Sequence, residues 1–210
     1  MATPFNRKPV NLLCSDDLDS QNFQTAQEAI EELATLADVK LEIRKAPSET
    51  AKILLDAGRK AGRKGQLNAH QMLRQLAEKL VAEQTTIPRY DVLLTEADLY
   101  APGLNFLFGV GQPLIGFVFS FHRFKQLPTK KWAQETAKTV IMHEMGHVFN
   151  LPIRAELTEE NLGTHCLNKC LMRQGLSLNA MQKIAKDRVK GYVLCQLCQE
   201  DLIRHFWKKS

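Results

Sequence analysis

The sequence predicts an α/β (α+β) fold in which a mixed, twisted sheet is flanked by helices. Short apolar segments such as Val10–Cys14 and Tyr90–Thr95 alternate with amphipathic helical patterns, an order typical of parallel strands joined by helices. Two further apolar stretches, residues 104–110 and 114–121, lie around Gly111-Gln112-Pro113 and predict an antiparallel hairpin. With 210 residues, the chain is long enough to bury the core of one domain.

Hydrophobic periodicity predicts the other elements of the first half. Apolar residues at helical spacing indicate a helix over residues 23–37, and an alternating pattern indicates a strand over residues 39–43. Two more helices are expected. One covers residues 48–57, and the other follows the N-cap residue Asn68 and ends near residue 83.

The segment 58–65 carries the triplet Gly-Arg-Lys twice. We interpret it as a flexible, solvated connection. Nucleic-acid binding is the weaker alternative, because no aromatic residues are interleaved for base stacking and a net charge of +5 is only a mild basic bias. The basic residues concerned are Arg59, Lys60, Arg63 and Lys64.

The motif His143-Glu144-Met145-Gly146-His147 lies late in a helix predicted over residues 129–150, which Thr129 can cap. Residues four apart lie on one face of a helix, so both imidazoles can bind a single zinc ion. Glu144 projects next to that face, where a base acting on metal-activated water must lie. A hydrogen-bonded pair of core histidines is the alternative interpretation.

Composition and the N-terminal sequence predict a cytoplasmic protein. The chain is 44% hydrophobic and 24% charged, and its first nine residues contain no apolar signal-peptide segment. No apolar run approaches the roughly 18 residues that cross a bilayer. Four of the five cysteines lie in the last third of the chain, where we interpret them as metal ligands.

The spacing of these four cysteines is typical of a tetrahedral zinc site of the structural type. The alternatives are two disulfides or four reduced, buried thiols. The residues concerned are Cys166, Cys170, Cys195 and Cys198.

The helical motif is followed downstream by further histidine, cysteine and methionine residues, in the order His143, Glu144, His147, His165, Cys166, Cys170, Met172 and Cys195-Gln196-Leu197-Cys198. In this order the sequence resembles the archaemetzincin family of the metzincin clan. The stretch 98–109 is also similar to the family's segment before its edge-strand hairpin. The resemblance implies a compact metzincin-like fold for one catalytic domain over residues 1–210. An N-terminal lobe (residues 1–150) would hold the sheet and the active-site helix, and a small zinc-stapled C-terminal lobe (residues 151–210) would hold the Met-turn.

The chain beyond the helix differs from the general metzincin pattern, in which a glycine breaks the helix three residues after the second histidine. Here Asn150 occupies that position, and Asn is the residue other than glycine that most readily adopts the left-handed conformation. Pro152 then prevents continuation of the helix. Ile153 lies where the third histidine would be and cannot bind zinc.

Two features also depart from the archaemetzincin pattern. Residues 151–162 are an insertion before the third histidine, and one residue fewer separates Cys166 from Cys170 than in the family. The insertion contains alternative carboxylate ligands for the metal, namely Glu156, Glu159 and Glu160. We favour His165, because the adjacent Cys166 and the later Met172 place it in the matching frame.

The resemblance implies a zinc-dependent metallopeptidase with two zinc ions per chain and a peptide or protein substrate. The catalytic zinc would be bound by His143, His147 and His165. Glu144 would be the general base, and Met172 would form an apolar floor beneath the metal. An extended peptide would pair with the outer strand of the hairpin, expected within residues 114–121. The alternative is a zinc-stabilised binding module with weak or no turnover.

Overall fold

The computed structural model describes residues 8–82, 88–153 and 164–207, together with the backbone of residues 158–159. The strands are β1 (Val10–Cys14), β2 (Ile43–Lys45), β3 (Gln66–Asn68), β4 (Tyr90–Thr95), β5 (Asp98–Tyr100), β6 (Gly109–Gln112), β7 (Gly116–Ser120), β8 (Thr158–Glu159) and β9 (His165–Cys166). The helices are α1 (Ser20–Thr35), α2 (Ser48–Lys60), α3 (Ala69–Ala82), α4 (Lys130–Val148), α5 (Leu178–Val189) and α6 (Gln196–Trp207). Within these ranges, no helix has the length and apolar character that crossing a membrane requires.

Five strands form the main sheet in the order β2-β1-β4-β7-β6. β1 pairs in parallel with β2 and β4, and β4 pairs in parallel with β7. β6 runs antiparallel to β7, with Val110 opposite Val118, and lies at one edge of the sheet. The predicted fold class, a mixed sheet flanked by helices, is therefore confirmed.

Helices cover both faces of this sheet. On one face, Leu12 and Val92 pack with α1 and α4 in the larger core, which extends to α6. On the other face, Leu13 and Leu93 pack with α2 and α3 in a smaller core. Successive residues of a strand point to opposite faces, so these chain neighbours belong to separate cores. Coverage of both faces accounts for the mostly apolar sequence of β4, in which every residue is buried.

The larger core contains residues from both predicted lobes, including Val140 of α4 and Phe206 of α6. Trp207 also donates a hydrogen bond from Nε1 to the carbonyl of Ala37 at 2.7 Å. The C-terminal helix therefore packs on the N-terminal half of the chain. A boundary between lobes at residue 150 stays a prediction.

The strand predicted over residues 39–43 is shifted in the structure. β2 begins only at Ile43, although Val39 and Leu41 are buried. Asp38 adopts a left-handed conformation (φ 55°) in the turn after α1. The alternating burial of residues 39–41 therefore reflects packing of this segment against the core, and not pairing with β1.

The predicted flexible, solvated connection over residues 58–65 is shorter in the structure, because α2 ends only at Lys60. Residues 59–61 and 63–65 are exposed, as predicted for a solvated segment, and the flexibility of the segment stays a prediction. α2 continues into this segment, because Gly58 has no side chain and Met72 of α3 lies against it. A Cβ atom at Gly58 would lie 2.6 Å from Met72 Cγ. Arg63 then stacks over the ring of Tyr100, with its guanidinium carbon 4.4 Å from the ring centroid.

The predicted hairpin is present, but its outer strand is β6 and not a strand within residues 114–121. β7 lies between β4 and β6, and all of its residues are buried. β6 is glycine-rich and partly exposed. Burial stabilises the apolar residues of β7 more than those of β6. β7 therefore lies inside the sheet and β6 lies at its edge.

A buried ion cluster joins three helices behind the sheet. Arg188 of α5 is 6% exposed and donates to Thr139 Oγ1 of α4 at 2.9 Å. It also pairs with Glu32 of α1 at 2.7 Å and with Glu135 of α4. Burial raises the pKa of Glu32, but hydrogen bonds from Lys138 and Arg188 lower it overall. The cluster thus holds α1 and α5 against α4.

Arg188→Ala should lower the free energy of unfolding by about 1–3 kcal/mol, because it removes the buried guanidinium and its hydrogen bonds. The loss is limited because Glu32 and Glu135 are about one third exposed and Lys138 still pairs with Glu32. Urea unfolding of the two proteins measures this difference. Arg74→Ala is the control: it removes an exposed ion pair with Glu78 and should change stability little. Equal stability of wild type and Arg188→Ala would contradict the role of the cluster.

Candidate metal centre

Helix α4 begins and ends with well-defined caps. The Thr129 hydroxyl accepts a hydrogen bond from the Trp132 N–H at 3.2 Å. At the other end Asn150 is left-handed (φ 63°), as predicted, and its N–H donates to the His147 carbonyl at 2.9 Å. The Leu151 N–H donates to the Gly146 carbonyl at 2.9 Å, which completes a Schellman motif. The chain therefore turns sharply directly after His147.

The two histidines of α4 converge on one point. His143 Nε2 and His147 Nε2 lie 3.1 Å apart. On the far side of each ring, His143 Nδ1 lies 2.9 Å from the Leu171 carbonyl and His147 Nδ1 lies 3.1 Å from the Leu151 carbonyl. A carbonyl can only accept, so both Nδ1 atoms carry the proton.

Both imidazoles are neutral near pH 7. Burial lowers the pKa of His143 to about 4 and lowers the pKa of His147 well below its ordinary value. Since the protons are on Nδ1, the two Nε2 atoms face each other with lone pairs and cannot hydrogen-bond. A tetrahedral zinc with bonds of about 2.0–2.1 Å holds its nitrogen ligands about 3.3 Å apart. The geometry and the chemistry of these atoms fit a zinc cation.

His165 completes the histidine group from β9. Its ring centroid lies 5.2 Å from that of His143 and 5.0 Å from that of His147. The possible ligand atoms of the three residues all lie within 4.8 Å of one another. β9 pairs antiparallel with β8, which places Glu159 opposite His165 along the backbone. Glu156, Glu160 and the side chain of Glu159 lie outside the described residues.

Glu144 is 8% exposed and packs against the edge strand β6. A Cβ atom at Gly109 would lie 3.0 Å from Glu144 Cγ, and one at Gly111 would lie 3.1 Å from the Glu144 carbonyl. The close approach of helix and strand therefore needs both glycines. Burial raises the pKa of Glu144 to about 8, although a hydrogen bond from the Gly111 backbone opposes the shift.

Met172 lies against α4 at Gly146. A Cβ atom at Gly146 would lie 2.3 Å from Met172 Sδ, and Met172 is fully buried. The Met172 carbonyl accepts a hydrogen bond from the Cys166 N–H at 2.9 Å. The methionine thus packs on α4 at Gly146, next to His147 in the chain, and its role as an apolar floor stays a prediction.

The four C-terminal cysteines form a second group, and their sulfurs all lie within 4.8 Å of one another. Cys166 Sγ and Cys195 Sγ are 3.7 Å apart, close to the spacing of about 3.8 Å for thiolates on a tetrahedral zinc. Disulfide sulfurs lie about 2.05 Å apart, and all four cysteines are free. Hydrogen bonds from Cys170 and Cys198 lower the pKa of Cys166, whereas its thiolate raises the pKa of Cys198. Ionisation of several of these thiols together would therefore require a cation.

The two groups share one segment, residues 165–172. Cys166 directly follows His165, and Leu171, whose carbonyl lies against His143 Nδ1, is flanked by Cys170 and Met172. The Leu171 N–H donates to the Val193 carbonyl at 2.7 Å, close to Cys195 in the chain. A displacement of the cysteine group would therefore move the partners of the histidines.

Two cavities meet at His143, Glu144 and His165. One has a volume of about 370 Å³ and a largely apolar lining that includes Phe106 and Met181. The other has a volume of about 440 Å³ and extends along β6 towards the end of α4. The histidine group is thus accessible from a groove beside the edge strand.

Sequence reasoning missed the residues that position these side chains. The carbonyls of Leu151 and Leu171 act through the backbone, and no side-chain pattern marks them. Gly109 and Gly111 did carry a signal, because alternating glycines in a strand indicate a close approach by another element.

Taken together, the antiparallel edge strand, the helix that carries the histidines and the methionine packed on that helix define a metzincin-like fold. Comparisons with known proteins narrow this class. The chain is 34% identical to the archaemetzincin of Pyrococcus furiosus over 116 residues, which cover 52% of this chain and 51% of that protein. The crystal structure of archaemetzincin from Methanopyrus kandleri matches with a TM-score of 0.63 and 25% identity, covering 96% of this chain and 97% of that one.

The crystal structure of archaemetzincin from Archaeoglobus fulgidus matches in fold, with a TM-score of 0.64, 20% identity and coverage of 92% and 99% of the two chains. The chain is thus similar to archaemetzincins in sequence over about half its length and in fold over nearly all of it, in agreement with the predicted resemblance. The alignments span about half the length of the curated relatives that the chain matches. No family model matches the chain.

Gly146→Ala should destabilise the protein by about 1–3 kcal/mol, because the added methyl group overlaps the buried Met172. Urea unfolding of Gly146→Ala, Met172→Ala and the double variant measures the effect. Since Met172→Ala removes the overlapping atoms, the double variant should lose less stability than the sum of the two single losses. Strictly additive losses would contradict the contact.

Proposed function

We propose that the chain is a zinc-dependent metallopeptidase. The observation that carries the proposal is the pair of unprotonated Nε2 atoms 3.1 Å apart, each fixed by a carbonyl behind its ring. Metal-binding histidines usually donate their other ring N–H to such a partner. Similarity to archaemetzincins supports the same activity.

In this proposal His143, His147 and His165 would hold the catalytic zinc beside the groove. When bound, zinc polarises the scissile carbonyl and makes water a stronger nucleophile near neutral pH. We assign the third ligand to His165 and not to a glutamate of residues 151–162. Its ring lies about as close to the two α4 imidazoles as they lie to each other.

Glu144 is the proposed general base. Its carboxylate takes a proton from the attacking water and returns it to the leaving amine. Burial raises the pKa of Glu144 to about 8, which favours retention of an accepted proton. A zinc cation nearby would lower this pKa, so that the carboxylate is available as a base near neutral pH. The Gly111 backbone holds the carboxylate beside the edge strand.

The substrate in this proposal is an extended peptide lying along β6. β6 ends the sheet, and residues of this strand line the second cavity. A peptide that adds a strand here would pass the histidine group, with side chains alternating between the cavity and solvent. The apolar cavity beside Phe106 and Met181 would take one of those side chains.

A second zinc, held by Cys166, Cys170, Cys195 and Cys198, has a structural role in this proposal. It would neutralise the thiolates and join residues 165–172 to α6. It would therefore fix both the His165 ring and the Leu171 carbonyl. A cytoplasmic location, where thiols stay reduced, is part of the same proposal.

Glu144→Gln should lower kcat/KM for peptide cleavage by about 10²–10⁴-fold, because the amide cannot accept the proton. Cleavage of a quenched fluorescent peptide library measures the rate, and zinc content should be unchanged. Glu78→Gln, at an exposed position on α3, is the control and should keep full activity. Undiminished cleavage by Glu144→Gln would overturn the base assignment. Absence of cleavage by the zinc-loaded wild type would favour a binding module instead.

Elemental analysis should find two zinc ions per wild-type chain and one in a Cys170→Ser/Cys198→Ser variant. Cys14→Ala removes the cysteine outside the group and should retain both ions. His165→Ala should lose the other ion while keeping the one held by cysteines. An anomalous-scattering map at the zinc edge that places a glutamate on the first ion would contradict the His165 assignment.

A further inference from the structure

A separate crevice lies near the β2 edge of the main sheet, opposite the β6 edge. It is beyond the carboxyl ends of β1 and β2. These strands are parallel, so the helices that follow them, α1 and α2, both begin at the same edge of the sheet. α1 packs in the larger core and α2 in the smaller core, on opposite faces. Between them is a cavity of about 290 Å³. Ligands of open α/β sheets commonly bind at this kind of crevice.

The two helix N-termini differ in how they are capped. The Asp19 carboxylate accepts a hydrogen bond from the Gln21 N–H at 2.7 Å and so caps α1. α2 follows Pro47, which has no polar side chain and makes no side-chain cap. The first-turn N–H groups of α2 and the positive end of its dipole are therefore available to an anion at Ser48.

A buried serine borders the same cavity. Ser15 lines the cavity and is 7% exposed, and among the described residues its Oγ has no hydrogen-bond partner. Leaving a buried polar group unpaired costs about 1–3 kcal/mol. A ligand that accepts a hydrogen bond from Ser15 would remove that cost.

The remaining wall combines one cation with apolar side chains. Lys45 lines the cavity at the end of β2, and its Nζ lies 5.7 Å from the centroid of the Phe23 ring. Leu18 and Phe23 form an apolar side. The carboxylate of Asp16 also borders the cavity, but its side chain is 68% exposed and lies 3.5 Å from Lys52 Nζ.

We propose that this crevice binds a phosphate monoester. The N-terminus of α2, the Lys45 ammonium and the Ser15 hydroxyl hold the phosphate oxygens, and the organic group lies against Leu18 and Phe23. Donors from three separate elements match the spread of oxygens on a phosphate better than the planar pair of a carboxylate. The cavity exceeds the size of a phosphate alone, which favours a monoester over the free ion.

The test uses the full-length, zinc-loaded protein labelled with ¹⁵N and titrated with phenyl phosphate. Amide resonances of Ser15 and of residues 48–51 should shift in a saturable manner. Lys45→Gln and Ser15→Ala should each weaken binding about tenfold, the loss expected for one hydrogen bond to a charged group. Lys60→Gln, at the opposite end of α2, is the matched control and should leave the affinity unchanged.

Stability separates a ligand contact from a structural one. Since the Ser15 hydroxyl has no partner among the described residues, free Ser15→Ala should be at least as stable as wild type in urea. Phenyl phosphate should stabilise wild type more than Ser15→Ala. A marked loss of stability in free Ser15→Ala would overturn the role of this hydroxyl.

Two further probes test the ligand class. If benzoate bound with equal affinity, the site would recognise a carboxylate rather than a phosphate. If inorganic phosphate bound with equal affinity, Leu18 and Phe23 would contribute nothing to binding. Either result would overturn the monoester assignment. The absence of saturable shifts at millimolar phenyl phosphate would overturn the site itself.

Discussion

The arrangement of the histidine group depends on two hydrogen bonds between imidazoles and the backbone. Buried polar groups need partners, and the Leu171 and Leu151 carbonyls supply them to His143 Nδ1 and His147 Nδ1. This choice of partner leaves both Nε2 atoms bare and directs them to one point. The left-handed Asn150 brings the second carbonyl into place, so the end of α4 is as important for the site as its histidines.

The arrangement of the histidine group also requires neighbouring elements to approach α4 closely. Gly146 admits Met172 on one side of the helix, and Gly109 and Gly111 admit Glu144 on the other. A side chain at any of these positions would push the helix from the edge strand or from the methionine. The missing Cβ atoms therefore bring a buried carboxylate to the edge of the sheet, where an added strand can reach it.

Local signals in the sequence predict local features well. The strands β1 and β4, the Thr129 cap and the left-handed Asn150 all follow from residue type and near neighbours. The start of β2 and the end of α2 were misjudged because burial against distant elements decides them. Likewise the edge position of β6 depends on how strongly β7 is buried. The spacing of His143 and His147 indicates one helix face, whereas the approach of His165 depends on the tertiary fold and came from the resemblance alone.

The shared segment 165–172 offers a physical reason why the site tolerates additional chain before His165. An added loop costs closure entropy that grows only slowly with length, while a misplaced ligand forfeits a metal bond. Here β8 pairs with β9, and the cysteine group lies directly beyond, so the chain is held on both sides of His165. The position of that imidazole is then set by its immediate neighbours rather than by the path of residues 151–162. The precision of the proposed catalytic centre would thus come from the second metal group, and the length of the connecting chain would be free to vary.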